Sequence, residues 1–225
     1  MMSTATDSTR PTARFAAMRD AMVVSQLRTS GVDDRRVIDA MARVPREDFV
    51  PESVRALAYR DTQLSLGGGR MQNTPLATGR LLNEATIRPD DRVLLIGAAG
   101  GYAAALLAGL AREVVAVEEA PLAADARAAL GQFANVELVE GALYDGASGH
   151  DPFDVIVIDG AVESVPDALI EQAKDGARIV TGLVDRGVTR LAAGRRTAGG
   201  FGLFDFVDLD CAILPGFDRP REFTF

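Results

Sequence analysis

The 225-residue sequence has little of the chemistry that disulfides and metal sites require. It contains one cysteine, Cys211, and one histidine, His150. A lone cysteine cannot form an intramolecular disulfide, and a lone histidine offers no metal-ligand spacing. We therefore expect neither a disulfide nor a metal site. The low cysteine content fits a reducing compartment, and we expect the protein to be cytoplasmic.

Long hydrophobic runs and an excess of basic charge are also missing. No stretch approaches the roughly 18 consecutive apolar residues that a membrane helix needs. The opening MMSTATDSTRPTA is polar and lacks the apolar region of a signal peptide. With 24 Lys and Arg against 32 Asp and Glu, the net charge is -8, the wrong sign for binding phosphate backbones. We expect a soluble protein that binds neither membrane nor nucleic acid; the sequence leaves its oligomeric state open.

The first 90 residues show mainly helical patterns. We expect residues 1–13 to be disordered and residues 14–90 to form a helical cap with a substrate-facing loop. Apolar residues recur at helical spacing from Arg14, and two further short helices are predicted before residue 60. Residues 62–73, TQLSLGGGRMQN, have no helical period and predict a loop, with a short strand before it as an alternative. Thr74 and the following proline predict an N-cap and first turn of the next helix.

From residue 91 to residue 225, short apolar runs alternate with helical segments. Runs such as RVLLIG, EVVAVEE and FDVIVID are nearly continuous in apolar residues, as expected of parallel strands covered on both faces. Candidate strands at 187–193 and 201–214 flank the turn sequence GRRTAGG and predict an antiparallel hairpin. The predicted fold is therefore α/β, a Rossmann-like doubly wound and mostly parallel sheet, with an antiparallel C-terminal hairpin and an N-terminal helical cap.

The segment VLLIGAAGGY, residues 93–102, is typical of a strand that enters a glycine turn and then a helix. Gly97 and Gly101 would let the backbone approach a ligand closely, beside the amide groups at the start of the helix. Glu118 ends the second predicted strand, where its carboxylate could accept both hydroxyls of a ribose. Ala99 and Tyr102 depart from the dinucleotide pattern, which disfavours NAD. The alternative is that the glycines only form a turn and that Glu118 is a solvated charge or a helix cap.

Four segments resemble the protein-L-isoaspartate O-methyltransferase family over about residues 18–215. They are MRDAMVVSQLRTSGVDDRRVIDAMARVPREDFVP, AYRDTQLSLGGG, VLLIGAAGGYAAALLAGL and PFDVIVIDGAVESVPDALIEQAKDGARIV. The resemblance implies a seven-stranded Rossmann-like sheet, S-adenosylmethionine as methyl donor and isoaspartyl residues of damaged proteins as substrate. It also implies that Gly97 and Gly101 flank the methionine part of the donor, Glu118 holds the ribose, and residues 140–143 pack on the adenine.

Several positions differ from the family pattern. Leu95 replaces an acidic residue, Ala99 a glycine, and Gly141 is followed by Ala142 instead of aspartate. In the loop before Pro75, Met71 and Asn73 replace a threonine and a serine, so Asn73 is the candidate catalytic residue.

Other charged residues could supply lost contacts. Glu119 and Asp159 could bind the cofactor, and Arg70 could anchor a substrate carboxylate or occupy the pocket itself. The sequence thus predicts a carboxyl methyltransferase. The alternatives are a family member that lost the cofactor and serves as a binding module, and a methyltransferase with another acidic substrate.

Overall fold

The structure, a computed structural model, describes the backbone of residues 9–218 and the side chains of residues 12–218. The helices are α1 (Thr9–Met22), α2 (Arg35–Arg43), α3 (Pro75–Ala85), α4 (Tyr102–Ala108), α5 (Leu122–Leu130) and α6 (Asp167–Glu171). The strands are β1 (Leu64–Gly67), β2 (Arg70–Gln72), β3 (Arg92–Ile96), β4 (Glu113–Glu118), β5 (Val136–Glu140), β6 (Phe153–Val162), β7 (Ala173–Asp185), β8 (Val188–Thr197) and β9 (Gly200–Asp208).

Helical segments form the N-terminal cap. Helix α1 begins at Thr9, before the Arg14 start that the periodicity predicts, and residues 1–8 lie outside the described residues. The N-cap of α2 is Asp34, whose carboxylate accepts a hydrogen bond from the Arg36 backbone amide. The predicted third helix is a 3-10 segment, Glu52–Leu57.

Residues 62–73 form a hairpin where the sequence indicated mainly a loop. β1 and β2 pair antiparallel as a separate two-stranded sheet. Leu64 and Leu66 are buried while Ser65 between them is exposed, the alternation of a half-buried strand. Three consecutive glycines, residues 67–69, all have positive φ and make the turn that returns β2 toward the core.

The main sheet has seven strands in the order β5-β4-β3-β6-β7-β8-β9. β5 through β7 are parallel neighbours, and β8 and β9 add an antiparallel meander. The predicted fold class is confirmed. Because β3 lies between β4 and β6, the winding reverses there, and the loops after β3, β4 and β6 meet at one mouth.

The core lies on both faces of this sheet. Along β3, Val93 and Leu95 pack with the cap and helices α3 to α5, whereas Leu94 and Ile96 pack on the opposite face. Burial on both faces explains why these runs are nearly continuous in apolar residues. Among the described residues, none of the helices combines the length and hydrophobicity needed to cross a membrane.

Candidate functional site

The turn between β3 and α4 has the conformation that the glycine pattern predicts. Gly97 and Gly101 have φ of 79° and 100°, and Ala99 between them is also left-handed, at 52°. A left-handed conformation is strained for alanine, so the surrounding contacts must hold the turn. The backbone carbonyl of Phe49 provides one such contact, since a Cβ added at Gly100 would lie 2.1 Å from its oxygen. The helical cap therefore rests directly on the turn.

Glu118 ends β4 beside this turn and is fully buried. Its Oε1 accepts hydrogen bonds from Arg70 Nη1 at 2.7 Å and from the Glu119 amide at 2.9 Å. Its Oε2 accepts from Arg70 Nη2 at 3.0 Å and from the Ala99 amide at 2.6 Å. A carboxylate offers about four acceptor sites. Four donors therefore use the full hydrogen-bonding capacity of the side chain that was expected to hold a ribose.

Arg70 is the first residue of β2, and its side chain extends to Glu118 at the end of β4. The arginine is 8% exposed, and its two Nη atoms form a bidentate pair with the carboxylate. Its Nε has no hydrogen-bond partner in the structure. The sequence left open whether Arg70 anchors a substrate or occupies the pocket, and in the structure its guanidinium lies on the protein's own carboxylate.

Leu214 packs on the glycine turn at Gly97. The segment after β9 bonds to the end of β6, with the Ala161 amide donating to Ala212 O and the Leu214 amide donating to Ala161 O. A Cβ added at Gly97 would lie 3.2 Å from both terminal methyl carbons of Leu214, and one added at Gly160 would lie 2.4 Å from its Cγ. Close approach of a ligand to Gly97 is blocked by this side chain.

Asn73 and Asp159 form a buried polar contact between the residue after β2 and strand β6. Asn73 Nδ2 donates to Asp159 Oδ1 at 2.8 Å, and Thr78 Oγ1 donates to the same oxygen at 3.1 Å. Asn73 Oδ1 in turn accepts from the Ala212 amide and from Cys211 Sγ. Burial raises the pKa of Asp159, and the bonds from Asn73 and Thr78 partly oppose this. Asn73 thus ties the hairpin, β6 and the C-terminal segment together.

Arg46 and Tyr102 also line this region, although the sequence pattern alone gave neither a role there. Arg46 is fully buried, its Nε donates to Ala58 O at 2.9 Å, and its guanidinium carbon lies 4.9 Å from the centroid of the Tyr102 ring. Burial lowers the pKa of Arg46 and raises that of Tyr102 to about 12. The sequence feature that could have pointed to Arg46 is its position in VPRE, residues 44–47, within the first of the four segments that resemble the family.

The remaining predicted contacts lie at the rim or in the core. The Gly141 amide donates to Glu118 O, a Cβ added at Gly141 would meet no atom within 4 Å, and Ala142 is exposed. Glu119 is half-buried at the end of β4. Leu95 is fully buried in β3, with the apolar core around it. Gly141, Ala142 and Glu119 are therefore partly or fully exposed, whereas Leu95 belongs to the core.

These contacts do not fit S-adenosylmethionine in the present conformation. The carboxylate for the ribose is saturated, the backbone at Gly97 is covered, and positions 95 and 142 carry no acid. A donor molecule would have to displace Arg70 and Leu214 before reaching these groups. Within the described residues, three or more His, Cys, Asp or Glu side chains do not cluster as a metal site would require.

Comparison with known proteins gives one family. The family profile for protein-L-isoaspartate(D-aspartate) O-methyltransferase matches residues 18–200. A protein-L-isoaspartate O-methyltransferase of a Synechococcus strain is 42% identical over 170 residues, covering 74% of this chain and 69% of that protein. One from Koribacter versatilis is 38% identical over 188 residues, covering 82% and 85% of the two chains.

A solved structure from Plasmodium falciparum has the same fold. It is described as a beta-aspartate methyltransferase in complex with S-adenosyl-L-homocysteine, and it aligns with a TM-score of 0.71 at 17% identity. The alignment covers 87% of this chain and 97% of that one, and at this identity it supports the fold alone. By the family profile and the two relatives, the chain belongs to the protein-L-isoaspartate(D-aspartate) O-methyltransferase family.

Proposed function

We propose that the protein is an S-adenosylmethionine-dependent carboxyl methyltransferase that acts on isoaspartyl residues of damaged proteins. The observation that carries the proposal is the glycine turn after β3 with the Glu118 carboxylate 2.6 Å from the Ala99 amide, in a chain of this family. A carboxylate at the end of the second parallel strand is the group that ordinarily accepts ribose hydroxyls in such folds. Relatives at about two fifths identity with the methyltransferase name support the same activity.

The residues proposed for binding follow from their places at the mouth. Gly97, Ala99 and Gly101 would supply backbone to the methionine part of the donor, and Glu118 would hold the ribose once Arg70 has moved. Gly141 and Ala142 would pack on the adenine, and the half-buried Glu119 and the buried Asp159 would supply further contacts to the donor. The donor would supply an activated methyl group when bound.

The substrate side of the mouth is proposed to use Asn73 and the cations near it. Asn73 takes the place of the family serine, and Arg70, released from Glu118, would be free to meet the negative carboxyl of an isoaspartyl residue. Methyl transfer to an ionised carboxylate needs mainly positioning, so no general base is proposed. The division into a cap with the substrate loop (14–90) and a catalytic core (91–225), and a cytoplasmic location, belong to the same proposal.

A second candidate function is a binding module that has lost the donor. One observation favours it: all acceptor sites of Glu118 are used by the protein itself. The relatives favour the enzyme, because both are named protein-L-isoaspartate O-methyltransferase and their alignments cover most of this chain.

A methyl-transfer assay decides between these functions. The protein is incubated with S-adenosylmethionine labelled in the methyl group and either an isoaspartyl peptide or the same peptide with normal aspartate. We expect base-labile label on the isoaspartyl peptide only, and loss of that label in Glu118→Ala. A surface variant such as Arg186→Gln, at a highly exposed side chain, should keep the activity. Unlabelled peptide at saturating donor concentration would refute the proposed activity.

A further inference from the structure

We infer that Arg70 is a built-in competitor of the cofactor, so that the Arg70–Glu118 pair and a bound S-adenosyl ligand exclude each other and Arg70 sets cofactor affinity. The inference rests on the proposed function, because it involves the same mouth. It addresses how tightly the cofactor binds and not the methyl transfer.

Exclusion follows from the hydrogen bonds of Glu118. Two of its four acceptor sites are held by backbone amides, from Ala99 and Glu119, which belong to the turn and to the strand end. The other two are held by the guanidinium of Arg70. The backbone donors are fixed by the fold, so ribose hydroxyls can bond to Glu118 only at the two sites that Arg70 now uses. Binding therefore requires the pair to break.

The β1–β2 hairpin, which carries Arg70, has features of an element that can move away from Glu118. β1 and β2 form a two-stranded sheet of their own and do not pair with the main sheet. Strand β2 leaves two buried polar atoms without partners, Arg70 Nε and Gln72 Oε1. Buried unpaired groups carry a desolvation cost, which destabilises the arrangement in which Arg70 is paired with Glu118. The turn at residues 67–69 is exposed, and a Cβ added at any of its three glycines would meet no atom within 4 Å, so no side chain packs on the turn there.

Arg70 blocks more than one contact. Its Nη2 lies 3.8 Å from the position of a Cβ at Gly97, so the guanidinium fills space beside the glycine that the donor would approach. Leu214 lies closer to the same position, with both of its terminal methyl carbons 3.2 Å away. Removal of Arg70 should therefore strengthen binding, and removal of Leu214 as well should strengthen it further.

The test measures the dissociation constant of S-adenosylhomocysteine by isothermal titration calorimetry for the wild type and Arg70→Gln. A hydrogen bond to a charged group corresponds to roughly a tenfold to hundredfold change in affinity. We therefore expect Arg70→Gln to bind at least tenfold more tightly. Arg70→Lys should fall between the two, because lysine cannot make the bidentate contact, and it guards against a fold defect in the glutamine variant.

Arg178→Gln is the matched control. Arg178 forms a second buried ion pair, with Asp91, at the amino end of the parallel strands, opposite to the mouth. Its substitution should destabilise the protein in the same way yet leave the dissociation constant unchanged. An equal gain in Arg178→Gln would mean that a loosened fold, and not the vacated carboxylate, improves binding, and would overturn the inference.

The remaining outcomes separate the inference from the proposed function. Equal affinity of wild type and Arg70→Gln, with isoaspartyl methylation present, overturns the inference and leaves the function. Tight binding by Arg70→Gln without methylation by either protein upholds the inference and refutes the function. Absence of binding by the wild type and all Arg70 variants overturns both.

Discussion

The Arg70 guanidinium donates two parallel hydrogen bonds, of 2.7 and 3.0 Å, to the carboxylate of Glu118, which follows it by 48 residues in the chain. Both side chains are buried, so neither charge is compensated by water. Such a pair adds little compared with apolar residues of the same shape, but its disruption leaves an uncompensated charge in the interior. The pair therefore links the hairpin to the main sheet by a contact that is costly to break.

The first prediction concerns this stability. Arg70→Gln should lower the free energy of unfolding by about 3–5 kcal/mol, because the Glu118 charge remains buried without its partner. The double variant with Glu118→Gln should lose less than the sum of the two single losses. Urea unfolding followed by circular dichroism measures both. A loss of less than about 1 kcal/mol, the value typical of surface ion pairs, would show that the pair is open to water.

The second prediction concerns the pH dependence of stability at Asp159. Burial raises the pKa of this carboxyl, so the native state holds its proton more tightly than the unfolded chain. The contribution is fully present below the unfolded pKa, near about 3.9, and is lost as pH rises through the native pKa. Asp159→Asn keeps an acceptor for Asn73 and Thr78 without the charge.

We therefore expect Asp159→Asn to melt several degrees above the wild type at neutral pH, with the difference shrinking toward pH 4 and below. Thermal unfolding of both proteins across this range gives the answer. The opposite trend, a variant that is less stable at neutral pH, would mean that Asp159 is stabilised as an anion by Arg46 and Arg70 despite its burial.

The third prediction uses two glycines as a matched pair. Gly160→Ala should destabilise the protein by about 1–3 kcal/mol, because the new methyl group would lie 2.4 Å from Leu214 Cγ and 2.8 Å from Ala212 O. Gly202→Ala, in β9, meets no atom within 4 Å and should change stability little. Chemical unfolding of the two variants compares them. Equal losses would contradict the close packing of the C-terminal segment on β6.

The fourth prediction concerns the thiol of Cys211. The side chain is buried, its Sγ donates to Asn73 Oδ1 at 3.2 Å, and burial raises the pKa of the thiol. Because the thiolate is the reactive form, a thiol reagent should label the native protein slowly and the urea-unfolded protein at once. Spectrophotometric titration with a disulfide reagent follows both reactions. Rapid labelling of native protein would show that the segment over the mouth opens readily.

Much of the fold follows from local signals. Thr74 caps α3 as its sequence position predicts, since its side chain accepts from the Ala77 amide. The apolar runs became the central strands because each is covered on both faces. The position of Glu118 at a strand end was readable because parallel strands place their carboxyl ends at one edge. These features depend on residues near each other in the sequence.

The parts that sequence could not give depend on distant contacts. Strand β2 is three residues long, and its pairing with β1 rather than a loop follows from burial of Leu64 and Leu66 under the cap. Arg70 is a charged residue directly after three glycines, a pattern that predicts an exposed turn. Its burial depends on a carboxylate 48 residues away. Leu214 lies in an irregular segment, and two backbone hydrogen bonds between this segment and Ala161 hold it near Gly97. No local pattern encodes such contacts.

The most direct test of a mouth closed by Arg70 is a crystal structure of the wild-type protein grown with millimolar S-adenosylhomocysteine. Where the ligand is bound, we expect its ribose hydroxyls to lie on the Glu118 carboxylate and the guanidinium of Arg70 to have left both carboxylate oxygens. A ligand bound at the glycine turn with the two Arg70–Glu118 hydrogen bonds still in place would contradict it.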